Sequence, residues 1–162
     1  MDDKEREKIR DEIDKMTEEK DLELSTEFCQ IAYAIVKKYN EFKENITKAL
    51  DEYEKATSKA GKNRAFKLVE EIYIDNRIYL NKVRLPNSNF YFDNVCTKKY
   101  ANKVKRAHNA MYKSLHQFQR EMWDLRFNLE QVDTRLDRKV EKRLETLQPE
   151  PQTNEDDSYK MY

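Results

Sequence analysis

The sequence predicts an all-α fold, an elongated three- or four-helix bundle with a long C-terminal coiled-coil helix. Two periodic stretches and the composition carry this reading. From Tyr100 to Leu147, apolar residues recur every three or four positions through Val104, Ala107, Met111, Leu115, Phe118, Met122, Leu125, Leu129, Val132, Leu136, Val140 and Leu144, with no Gly or Pro until Pro149. That spacing makes one apolar stripe on one long helix. From Phe28 to Ala60, ten apolar positions follow alternating steps of four and three, which is a heptad seam. The composition is 40% charged and 38% apolar, too polar for a thick core but sufficient to line narrow seams between helices. Seventeen of the apolar side chains are Phe or Tyr, so each seam contact buries a large area.

Taken in order, residues 1–24 form an acidic N-terminal helix. It carries eleven acids against six bases and only Ile9, Ile13 and Met16 as a stripe. Its stripe is out of phase with the seam that follows, so a break is expected near Asp21–Ser25. Residues 25–148 form the helical bundle and coiled coil. Ser25 or Thr26 caps the second helix, and Gly61, the single glycine, is expected to end it. A third helix over 62–84 presents Ala65, Phe66, Val69, Ile72, Tyr73, Ile78, Tyr79 and Val83, with Glu70 and Glu71 off the apolar face. Pro86 stops it, because the residue before a proline is pushed out of the α region. Asp93 or Asn94 then caps the long helix. Residues 149–162, with two prolines and four acids, are expected to be a disordered acidic tail.

Helix lengths point to a partner. At about 1.5 Å per residue the last helix would reach roughly 80 Å and outrun its neighbours. Leu125, Leu129, Val132, Leu136, Val140, Leu144 and Leu147 would then lack an intrachain partner and form an interface with another helical chain, the same or different. Phe90, Tyr91 and Phe92 are expected either to plug one end of the bundle or to form a docking patch.

The stretch Thr97–Arg120 contains no acid and carries Lys98, Lys99, Lys103, Lys105, Arg106, Lys113 and Arg120. Such a stripe can contact phosphates of nucleic acid or meet an acidic protein surface, including the chain's own acidic ends. The formal net charge of zero favours the acidic surface. A membrane-surface module is a third reading, weakened by the acids that follow residue 120.

No catalytic constellation emerges, and the chain reads as non-enzymatic. His108 and His116 lie eight apart without a carboxylate at metal-ligand spacing, and one Gly leaves no phosphate-cradling loop. No cofactor and no metal site are expected. Cys29 and Cys96 stand alone, as in a reducing compartment, cytoplasmic or nuclear. Neither a signal peptide nor a transmembrane run is present in the pattern. The expected function is a scaffold or adaptor subunit of an intracellular complex that assembles by coiled-coil pairing.

Overall fold

A computed structural model describes residues 2–147 and shows five α-helices among them: α1 Asp3–Lys55, α2 Lys59–Lys82, α3 Ser88–Asn94, α4 Lys98–Glu130 and α5 Leu136–Leu147. No β-strand occurs among the described residues, and the all-α helical-bundle class holds. The expected tail at 149–162 lies outside the described residues. The chain divides into two compact units, residues 1–35 with 86–113, and residues 36–85 with the segment from 114 onward. α1 and α4 each contribute to both.

In the first unit, α1 and α4 run side by side in the same direction. Asp21 meets Thr97, Cys29 meets the Lys103 carbonyl, and Phe28 lies near His108. The short α3 closes over them, Tyr91 packing edge-on against Phe28 at 5.0 Å. Phe28, Ala32, Tyr91, Tyr100, Val104, Ala107 and Met111 are buried here.

The second unit is centred on Phe118. Its buried ring lies 5.0 Å from Phe42, 5.5 Å from Tyr39 and 6.1 Å from Tyr79, so α1, α2 and α4 meet through aromatic faces. α5 packs on α2 and buries Leu136 and Val140.

Several sequence expectations are corrected, among them the cap at Asp93 or Asn94: both lie inside α3, and Asp21 caps α4 instead. The break near Asp21–Ser25 does not occur, and the boundary drawn at 24–25 falls inside α1. Asp21 and Ser25 are buried because they continue the Phe28 seam backward at helical spacing, their polar atoms satisfied by hydrogen bonds. The phase change at Ile9–Met16 is therefore a change of face on one helix. Gly61 ends nothing: α1 stops at Lys55, and Gly61 sits in the first turn of α2, donating its N–H to the capping Ser58 Oγ at 3.0 Å. Its φ is not positive.

The single C-terminal helix is two helices. The chain leaves the helix after Glu130, and Asp133 restarts it by accepting the Arg135 N–H at 2.9 Å. Arg126 spans the turn, pairing with Glu130 and Asp137, each at 2.9 Å. Glu70, expected off the apolar face, is buried. It lies under α5 and pairs with Lys139 at 2.7 Å.

Candidate functional site

The seven residues expected as a partner interface are split by the turn. Leu129, Leu136 and Val140 are buried within the chain, Leu125 and Leu144 are half-buried, and Val132 and Leu147 are exposed. The premise that the stripe lacks an intrachain partner thus fails where α5 folds onto α2. Salt bridges fix that contact: Arg143 reaches Glu71 and Asp75, each at 2.9 Å, beside the Lys139–Glu70 pair.

What α4 leaves open in the second unit is its outward face. Trp123 is 66% exposed, Phe127 61% and Val132, in the turn just beyond, 70%. Trp123 and Phe127 stand one helical turn apart, and the Arg126 guanidinium lies 5.6 Å from the indole centre. Arg120 and His116 continue the exposed surface toward the N-terminus of α4. The heptad reading passed over Trp123 and Phe127 because they fall between stripe positions. The signal was present as two large aromatics four apart on the face opposite the stripe.

In the first unit Lys98, Lys99, Lys103, Lys105, Arg106 and Lys113 are all exposed, and none forms an ion pair among the described residues. Lys99 and Lys103 lie 5.3 and 5.5 Å from the Tyr100 ring centre. Arg120, on the same helix in the second unit, is exposed as well. The acidic start of α1 does not cover this surface. Asp21 is level with Thr97, so residues 3–20 continue beyond the start of α4, away from Lys98–Lys113. Residues 2–16 are exposed throughout, Ile9, Ile13 and Met16 included.

The aromatic triplet also divides. Tyr91 is buried, its hydroxyl pushed up by burial and by Glu27, while Phe90 and Phe92 are exposed. Phe92 lies edge-on to His108 at 5.1 Å, and His108 Nδ1 is 2.8 Å from Ser88 Oγ. Burial lowers the His108 pKa. A Ser–His contact can activate a nucleophile, but here Tyr112, Phe28 and Phe92 surround the imidazole, and no carboxylate orients it. The pair ties α3 to α4.

A shallow groove lined by Ser25, Thr26, Cys29, Gln30, Tyr33 and Lys103 borders α1 and α4. Burial raises the Cys29 pKa, although Lys103 opposes it. Among the described residues no group of three or more His, Cys, Asp or Glu side chains could hold a metal ion. None of their helices is long and apolar enough to cross a membrane.

The buried Glu70, the half-buried Asp133 and the exposed Lys139 form a charged cluster between α2 and α5. Burial and the neighbouring Asp133 raise the Glu70 pKa against the pull of Lys139. Hydrogen bonds from Glu70 and Lys139 and from the Arg135 backbone hold Asp133 down at about 2. Glu70 Oε1 accepts from Lys139 at 2.7 Å, while the buried Oε2 has no hydrogen-bond partner among the described residues. This cluster clamps α5 to α2. No family model, curated protein or solved structure matches the chain.

Proposed function

We propose that this protein is a non-enzymatic scaffold or adaptor subunit that docks another protein through the outward face of α4 at Trp123, Phe127 and Val132. The observation that carries the reading is the exposure of these three large side chains, which are among the most exposed large apolar residues described. Aromatic side chains anchor interfaces out of proportion to their number. Two aromatic anchors one helical turn apart, with Val132 just beyond, suit a short amphipathic helix of a different protein. The exposed Arg120 beside it favours an acid flanking the apolar anchors of that helix.

A photo-crosslinking side chain at position 127, introduced in cells, tests the reading. Cross-links mapping to an amphipathic acidic segment of a different protein support it. Cross-links only within the chain, or none, refute it. A second reading, a factor that binds nucleic-acid phosphates, draws on the exposed and unpaired Lys98–Lys113 surface. Such binding would weaken steeply with salt.

A further inference from the structure

Between Lys98 and Lys113 the exposed surface of α4 presents hydrogen-bond donors and no carboxylate. Eight positions are exposed there: the six bases already described, with Asn102 and Asn109 among them. In a chain whose acids equal its bases, this is a one-signed face about 22 Å long. At about 100° per residue the eight spread over an arc of roughly 160°, away from the buried Tyr100, Val104, Ala107 and Met111. α1 reaches this helix at the Lys103 carbonyl and α3 reaches it at His108. Both neighbours flank the arc and leave it uncovered.

The charges are ordered within the arc. Lys98 and Lys105 lie along one margin and Lys99 and Lys103 along the other, roughly 100–160° around the helix. Asn102 and Asn109, two helical turns apart, occupy the strip between the margins.

The same surface narrows the choice of partner. A helix that lies on a membrane buries an apolar face, and the core of a protein interface is apolar and poor in lysine. None of the eight exposed positions is apolar, so neither partner finds an anchor. Unpaired bases need aromatic rings to stack on. Tyr100 is buried, and Tyr112 is half-buried against His108. What suits two basic margins with an uncharged amide strip between them is a partner carrying two rows of phosphates.

We propose that this face of α4 binds duplex DNA, with its margins on the phosphates of the two strands and the asparagines over the groove between them. An α-helix about 10–12 Å across enters the major groove of B-form DNA, about 12 Å wide, whereas the deep, narrow groove of A-form RNA excludes it. Phosphate contacts supply affinity without reading sequence. This pose rests on the phosphate-binding reading above and adds to it the strandedness and form of the nucleic acid.

Fluorescence anisotropy of a labelled DNA duplex, titrated with the full chain at several salt concentrations, tests the pose. The logarithm of affinity should fall with the logarithm of salt at a slope between about −3.5 and −5.5, as for four to six neutralised phosphates. K98Q/K105Q and K99Q/K103Q should each weaken binding by roughly tenfold and flatten the slope by about two. All four lysines are exposed, and circular dichroism should show unchanged helix content in both variants. Loss confined to one pair, or tighter binding of single-stranded DNA or duplex RNA, overturns the pose and leaves phosphate binding standing. No binding of any nucleic acid at low salt overturns both. Retention of the chain by polyglutamate or by phosphatidylserine vesicles, with no duplex bound, assigns the face to an acidic protein or a lipid surface and overturns both as well.

Discussion

The Asp21 carboxylate accepts the Thr97 backbone N–H at 2.6 Å and the Cys96 N–H at 3.2 Å, capping α4 from a helix 76 residues earlier in the chain. The first turn of a helix leaves unpaired N–H groups that a carboxylate satisfies both by hydrogen bonding and by charge. Burial opposes ionisation of Asp21. The Thr97 hydroxyl, both backbone N–H groups and nearby Lys20 outweigh it and hold the pKa below the usual carboxylate range. Asp21→Ala should therefore cost about 1–3 kcal/mol in urea unfolding, since it strands buried donors. Because the folded pKa is depressed, this contribution is present above the ordinary Asp range and is lost as pH falls through the lowered value. The variant should accordingly lose part of the acid sensitivity of the wild type.

The clamp between α2 and α5 responds to pH in both directions. Glu70 has a raised pKa, so its contribution is complete below the ordinary Glu range and is lost as pH rises through the raised value. Asp133, held at about 2, contributes above the ordinary Asp range and fails only as pH falls toward that value. Glu70→Gln removes that ionisation. Its stability relative to wild type should increase between mildly acidic and neutral pH, read from urea midpoints across that range.

Phe118 joins three aromatic rings from α1 and α2 and is fully buried. Phe118→Ala should cost about 3–5 kcal/mol, as large core truncations do. Calorimetry should show the loss as a large fall in melting temperature. Trp123→Ala, on the exposed face, should change stability by no more than about 0.5 kcal/mol.

Ser88 and His108 hold α3 against α4. Ser88→Ala should cost about 0.5–1.5 kcal/mol, the net value of one hydrogen bond. With the His108 pKa lowered by burial, its contribution is present above the ordinary His range and is lost as pH falls through the lowered value. Amide protection factors in Phe90–Asn94, taken against intrinsic exchange rates at each pH, should therefore fall in acid, measured by NMR.

Much of the fold was legible in the spacing. The seam from Phe28 through Ala49 and the α4 stripe from Tyr100 to Met122 follow three- and four-residue steps, and nearly all these residues are buried. The turn after Glu130 was hidden because Val132 keeps the spacing while it points to solvent. The capping Asp133, followed after two residues by Leu136, was the local sign of a new helix. Asp21 misled in the opposite sense, since a charge at a seam position reads as a break until its distant partner is known. Of the surfaces, the basic stretch was legible from composition. Trp123 and Phe127 were not, because periodicity identifies what is buried and says little about what is left out.

The account rests on an open aromatic face at the end of α4, and Trp123 is the chain's single tryptophan. Its fluorescence in the isolated native chain reports that face alone. Red-shifted emission, quenched by acrylamide nearly as readily as in the urea-unfolded chain, is the expected result. Blue-shifted emission protected from acrylamide would show the face already covered and would contradict the account.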